Sequence, residues 1–387
     1  MTSDPAGKPQ PSTDRRITTG VAHRIRRAVL PALLLTGMVA AALPVPSSAA
    51  SAGITFGAGI GWCFHVQGRA NTSARVTWRS ASGRLKGRFA GVSDANGRFA
   101  DPDGCTPERV TSGDRITAKY GTVSRTLTVP VLTVTFDRVN YHVSGRGPIG
   151  SWLDVIAARQ NSVVGPDASC TTLTRVHSNG HYSVNVQGIL GGQYCPPEYT
   201  PMGGDVAQVT WTSAHQDSVY QFATAPMVGV TVGKSSFYGR AAAGQSVSVV
   251  LRTSSGAVRG RAHLTVDARA TGFTLIFRDG NGHSVPVRSG DRVTGDWATN
   301  ATFDVPDMHF TPIPIYHLFY GWCMPNAPYT LTLLMAGYQA ETTSGTTGAN
   351  GETPLMQVSG HVKTGETMTL ACALPTGDVV TFSQLVP

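Results

Sequence analysis

Six cysteines, Cys63, Cys105, Cys170, Cys195, Cys323 and Cys372, carry the most definite chemistry in this chain of 387 residues. No Cys-x-x-Cys pair occurs, so neither a zinc ribbon nor a thioredoxin-type redox site is indicated. The cysteines fall two by two along the chain. That partition predicts three disulfides, Cys63–Cys105, Cys170–Cys195 and Cys323–Cys372. Closing loops of these lengths contributes about 3–4 kcal/mol each in the chain-entropy account.

Two of the cysteines follow a tryptophan, in Gly61-Trp62-Cys63 and Gly321-Trp322-Cys323. An exposed indole offers a flat platform on which a sugar ring can rest. The same spacing also lets the ring pack on the adjacent disulfide, as a tryptophan does in some β-sandwiches. The packing reading is preferred, and Trp62 and Trp322 stand as the candidate binding residues.

Other groupings read as turns rather than sites. Asp94, Asn96, Asp101 and Asp103 have calcium-ligand chemistry, but they straddle Asn96-Gly97, and Asp-Pro-Asp-Gly is itself turn chemistry. His177 and His181 flank Asn179-Gly180, where the helix needed for an i, i+4 metal pair is not expected. Both Asn-Gly pairs are expected to close tight hairpins. Gly229 to Ser235 falls one residue short of a phosphate-binding loop and is expected to be a linker. No Gly-x-Ser-x-Gly or His-Glu-x-x-His motif is present. The expectation is a protein that is not an enzyme, with no cofactor and no metal.

The elements that position these residues repeat. Glycines at 68, 145, 239 and 321 open successive units of 77, 94 and 82 residues. Each unit carries a Gly-acid pair: Gly113-Asp114, Gly204-Asp205, Gly290-Asp291 and Gly365-Glu366. Six residues beyond each acid stands Tyr120, Trp211, Trp297 or Cys372. An even offset on a strand returns to the same face, so these are expected to be core plugs. Each unit closes on a proline: Val129-Pro130, Ala225-Pro226, Val305-Pro306 and Val386-Pro387. Phe273, Leu275 and Phe277 alternate onto one face. The 44 glycines and a charged content of only 14% suit strands and turns.

Residues 1–52 read as an export signal: a basic stretch ending at Arg26-Arg27, an apolar run from Ala28 to Leu43, then small residues. The run is shorter than the roughly 20 apolar residues of a membrane span. The formal charge of +8 falls to +4, from 25 basic and 21 acidic groups, once this segment is set aside. The remaining basic residues are scattered, which argues against nucleic-acid binding.

The run of Gly-Arg, Gly83 to Gly87 and Gly256 to Gly260, Asp94 to Phe99, and Ser112-Gly113-Asp114-Arg115 resembles bacterial secreted tandem-repeat proteins. Their units resemble immunoglobulin-like or carboxypeptidase-regulatory-like β-sandwiches. The fourth unit departs most, with Trp322-Cys323 in place of Arg-Ala and Glu366 in place of Asp. The resemblance implies an all-β chain of four tandem small β-sandwich (immunoglobulin-like) domains after an N-terminal signal peptide. The expected boundaries are 1–52 for the signal peptide and basic n-region, then 53–135, 136–232, 233–307 and 308–387. It implies an extracellular, non-enzymatic structural, adhesive or surface-binding role. Partners would be cell-wall polymer, glycan or a surface protein, with no nucleic acid and no membrane span in the mature chain. The alternative is a carbohydrate-binding module or an extracellular hydrolase.

Overall fold

Alternating burial is the rule along the chain. In Ser73–Arg79, Ala74, Val76 and Trp78 are buried while their neighbours face outward, and Ser246–Arg252 repeats the pattern with Val247, Val249 and Leu251. Such a period of two is a strand with one face on a core. A computed structural model of the protein describes residues 53–99, 108–159, 168–188, 195–196, 199–242, 244–267, 272–299, 301–313, 318–334, 341–357 and 364–386. Among them there is no helix, and so none long and apolar enough to cross a membrane. The expected export signal lies outside the described residues, as do Cys105, Asp101 and Asp103.

The strands fall into four successive sets of seven. The first is β1 (Thr55–Gly59), β2 (Phe64–Gln67), β3 (Ser73–Arg79), β4 (Leu85–Val92), β5 (Arg98–Phe99), β6 (Arg115–Tyr120) and β7 (Val123–Thr128). The second is β8 (Thr135–Asp137), β9 (His142–Arg146), β10 (Trp152–Ala158), β11 (Ser169–Arg175), β12 (His181–Asn185), β13 (Val206–Thr212) and β14 (Ser218–Thr224). The third is β15 (Met227–Thr231), β16 (Ser236–Arg240), β17 (Ser246–Arg252), β18 (Val258–Thr265), β19 (Gly272–Ile276), β20 (Arg292–Gly295) and β21 (Ala301–Asp304). The fourth is β22 (His309–Ile313), β23 (Leu318–Trp322), β24 (Pro328–Leu334), β25 (Glu341–Thr346), β26 (Met356–Gln357), β27 (Thr367–Ala373) and β28 (Val379–Leu385).

Every set pairs in the same order. Its first, second and fifth strands run side by side, and its fourth, third, sixth and seventh run side by side. This is the two-sheet logic of a β-sandwich. The sets are not separate beads, however. The first strand β1 pairs in parallel with β14, the last strand of the second set, through Gly57↔Ser218, Ala58↔Val219 and Gly59↔Tyr220. Strands β15 and β28 pair in the same way, through Gly229↔Val379 to Thr231↔Thr381. Two seven-stranded sheets result, each shared by two sets. The pairing satisfies backbone groups that would otherwise form open edges. The buried apolar residues divide accordingly into two clusters, one from Ile54 to Ala225 and one from Val228 to Val386.

Buried polar contacts lock the two seams alike. Asp217 accepts a hydrogen bond from the Phe56 amide at 3.1 Å and pairs with Arg125. Asp378 accepts one from the Val228 amide at 2.9 Å and pairs with Arg138, also at 2.9 Å. Over both seams an aromatic ring from the neighbouring strand covers a glycine: His65 covers Gly57 and Tyr238 covers Gly229.

The Gly-acid pairs are staples. In each set the residue before the closing proline exchanges two backbone hydrogen bonds with them, as Val129 does with Gly113 and Asp114 at 2.8 Å each. The side chain of Asp114 is fully buried and accepts from the Trp78 indole at 2.9 Å, the Thr111 amide at 2.9 Å and Lys86 at 2.8 Å. Asp205 and Asp291 repeat the amide contact, from Met202 at 3.0 Å and Arg288 at 2.8 Å. Of the residues six positions on, Tyr120, Trp297 and Cys372 are buried in the cores, whereas Trp211 is half-buried and packs against one.

The structure differs from the sequence reading in three places. Asn96-Gly97 and Asn179-Gly180 do not close hairpins. The strands flanking each turn belong to different sheets, β4 and β5 in one case, β11 and β12 in the other. A type I′ hairpin turn needs positive φ at both central residues. Here only the glycines have it, at 77° and 78°, while Asp94 and Asn179 cap the turns through their side chains. The expected linker from Gly229 is instead strand β15 and the turn after it. By strand pairing the third set starts at Met227.

Candidate functional site

Strand β23 alternates strictly: Phe319 and Gly321 face the core, and Tyr320 and Trp322 face outward. The neighbouring strand β22 sets His309 opposite Trp322 and Thr311 opposite Tyr320. Side chains directly opposite on antiparallel strands meet. The His309 ring stacks on Trp322, with centroids 4.3 Å apart and planes at 20°. Tyr320 meets the Trp322 ring at 4.7 Å with planes at 59°. Three rings thus form one strip on the outer face of the β22-β23-β26 sheet.

The strip is anchored from behind. The Gly321 amide donates to Thr353 Oγ1 at 3.0 Å, and the Thr353 amide returns a bond to the Gly321 carbonyl at 2.8 Å. The Cys323 amide donates to the Gly351 carbonyl at 2.9 Å. Cys323 itself is disulfide-bonded to Cys372 on β27, which fixes the end of β23 to the opposite sheet. A platform held this way keeps its rings in place without side-chain ordering on binding.

Trp62 stands elsewhere in its unit. It lies in the turn between β1 and β2, with its amide bonded to the Gly59 carbonyl at 2.9 Å, whereas Trp322 closes a second strand. The two Gly-Trp-Cys tripeptides are therefore not equivalent positions. Trp62 is 47% exposed and meets Phe222 edge-on at 6.3 Å, and Phe222 in turn meets Tyr220 at 5.5 Å. Cys63 is disulfide-bonded. A second disulfide joins Cys170 and Cys195.

His177 and His181 are exposed on their turn. Burial and the charge of Arg98 lower the pKa of His65. Burial pushes Asp205 up to about 6, against the opposing Met202 amide and Arg159 guanidinium. Among the described residues no three His, Cys, Asp or Glu side chains gather as a metal site. The sequence reading missed His309, Tyr320, Phe222 and Tyr220. Tyr320 was visible as the i−2 neighbour of Trp322 on one strand face; the others are brought in by strand register, which local sequence does not encode.

No family model matches the chain. No curated protein matches it. Among solved structures, the chain aligns with a tetra-tandem repeat from the extending region of a large adhesion protein, at 14% identity over 86% of this chain and 98% of that one, with a TM-score of 0.18. It aligns with a structure concerning host cell surface retention of a 1.5-MDa bacterial ice-binding adhesin, at 16% identity over 65% and 92%, with a TM-score of 0.16. It also aligns with the BSP domain of a biofilm-associated protein, at 9% identity over 89% and 99%, with a TM-score of 0.18. Superposition at this level does not establish a shared fold.

Proposed function

We propose that this chain is a secreted, non-enzymatic bacterial repeat protein with a structural, adhesive or surface-binding role. Its four immunoglobulin-like domains, 53–135, 136–232, 233–307 and 308–387, would follow a cleaved signal at 1–52. The outward strip His309–Trp322–Tyr320 is the observation that carries the reading. His309 is exposed, and Tyr320 and Trp322 beside it are half-buried, an aromatic patch of the kind that marks a binding surface. Disulfides at Cys170–Cys195 and Cys323–Cys372 suit an oxidising, extracellular setting. The partner we assign is cell-wall polymer or glycan, because stacked rings accept the C–H face of a sugar while His309 and Tyr320 supply hydrogen-bonding edges. A carbohydrate-binding module is thus the specific form this role takes at the fourth unit.

The test is a polysaccharide and cell-wall pull-down of the purified chain, with Trp322→Ala and Trp62→Ala. Binding that survives both substitutions in folded protein would sink the reading. N-terminal sequencing of protein from culture medium checks the compartment. A start near Gly53 is expected, and residues 1–52 retained in a membrane fraction would contradict secretion.

A further inference from the structure

The third unit carries a second feature, unrelated to the aromatic strip. Strands β18 and β19 are the outer strands of their respective sheets, and β18 meets the segment just beyond β19 at one isolated bridge. The bridging residues are Arg261 and Arg278. The Arg261 amide donates to the Arg278 carbonyl at 2.8 Å, and the Arg278 amide returns the bond at 3.0 Å. Residues so paired project their side chains to the same side, about 5.5 Å apart at Cα. Like charges directly opposite each other destabilise a sheet.

Among the described residues neither guanidinium has a carboxylate partner. Asp279, next to Arg278, is engaged in its own turn, accepting from the amides of Asn281 and His283 at 2.9 Å each and pairing with the His283 ring. Arg259, two residues before Arg261, is already paired with buried Asp291. Arg278 is held in place by a 2.7 Å bond from its Nη1 to the Gly282 carbonyl.

Both arginines line one open groove of about 410 Å³. His263 lies two residues beyond Arg261, with its Nδ1 bonded to Ser248 Oγ at 2.9 Å. Thr274, Leu275 and Ile276 of β19 form the other wall, and Ile276 is 43% exposed. The groove therefore combines two unneutralised guanidiniums, an imidazole, a hydroxyl and exposed apolar surface.

We infer that this groove binds an anionic polysaccharide, with a sulfate or uronate carboxylate seated between Arg261 and Arg278. Two guanidiniums carry ten N–H donors in planar forks, one of them given to the Gly282 carbonyl, a geometry matched to oxyanions. An anion between them turns a repulsive pair into two attractive ones. The apolar wall at Ile276 suits the C–H faces of the sugar that carries the charge. The disulfides place the chain where acidic glycans rather than nucleic acids are the polyanions at hand.

The experiment measures binding of the purified chain to dextran sulfate and to polygalacturonate, with neutral dextran and inorganic sulfate for comparison. Both charged polymers are expected to bind, with affinity falling as salt rises, and neutral dextran is not. Arg261→Ala with Arg278→Ala should weaken binding by about ten-fold or more, because the charged hydrogen bonds to the anion are lost. The double variant should melt no lower than wild type, because it removes a repulsion, and the Lys pair at both positions should keep part of the binding. The salt dependence and the loss on removing both arginines separate this site from the aromatic strip, which carries no paired guanidiniums. Unchanged binding by the double alanine variant, equal binding of neutral dextran, or competition by inorganic sulfate at equal charge concentration would each overturn the inference.

Discussion

Arg138 and Asp378, 240 residues apart, form a buried ion pair at 2.9 Å. It joins the second strand set to the fourth. Beside it the Gly203 amide donates to the Thr376 carbonyl at 2.9 Å, and Arg138 Nη1 reaches the same carbonyl at 2.6 Å. The two shared-sheet halves meet here through backbone as well as charge.

Asp378→Ala should therefore be among the most damaging single substitutions. It strands both the Arg138 guanidinium and the Val228 amide in buried positions. Removing one partner of such a pair costs about 3–5 kcal/mol. Asp378→Asn keeps an acceptor for the amide and should cost less. Denaturant unfolding of the two variants checks the order. Equal stability of wild type and Asp378→Ala would show that this contact does not hold the halves.

Gly377 makes a sharper test of the same junction. Its φ is +81°, and a Cβ there would come within 2.2 Å of the Gly203 amide nitrogen. The obstacle is backbone, which cannot swing aside. The left-handed conformation alone costs a side chain about 1–2 kcal/mol. Gly377→Ala should lower the melting temperature and open the junction to proteases, as limited proteolysis would show.

Asp205 gives the fold a pH signature. Its carboxyl sits at about 6 in the folded chain, raised by burial from an ordinary 3.8. The folded state thus holds a proton that the unfolded state releases between pH 4 and 6. Stability from this group is full below pH 4 and is lost as pH rises through 6, on the order of 3 kcal/mol. Relative to Asp205→Asn, wild type should weaken across that window. A parallel pair of stability–pH curves would contradict the assignment.

The Cys323–Cys372 bond spans 49 residues and ties the strand carrying Trp322 to the opposite sheet. Its removal by paired Cys→Ala substitution should cost about 3–4 kcal/mol on the loop-entropy account. It should also weaken any ligand held by the aromatic strip. Peptide mapping without reductant checks the bond itself. Pairing of Cys323 with a cysteine of another unit would refute it.

How much of this was legible beforehand depends on whether the cause was local. Alternation in Ser246–Arg252 and the recurring Gly-acid pairs marked strands and units, because period and turn chemistry are short-range. The hairpin reading of Asn179-Gly180 failed for the opposite reason. Whether a turn joins two strands of one sheet or crosses between sheets is decided by packing of distant strands. The pairing of β1 with β14 joins Gly57 to Ser218, and no local signal points across that distance. Arg261 and Arg278 looked like scattered charge in sequence; a single bridge makes them neighbours. The same holds for His309 beneath Trp322.

The most direct measurement is quantitative binding of the purified chain to insoluble wall polymer and polysaccharide, beside Trp322→Ala of confirmed fold. Loss of a central stacking ring should cost about 1–3 kcal/mol, roughly five-fold to 150-fold in affinity. Retention of wild type with that loss in the variant is the expected result. Failure of wild type to bind any such polymer, or equal retention of the variant, would contradict the proposed surface-binding role of the His309–Trp322–Tyr320 face.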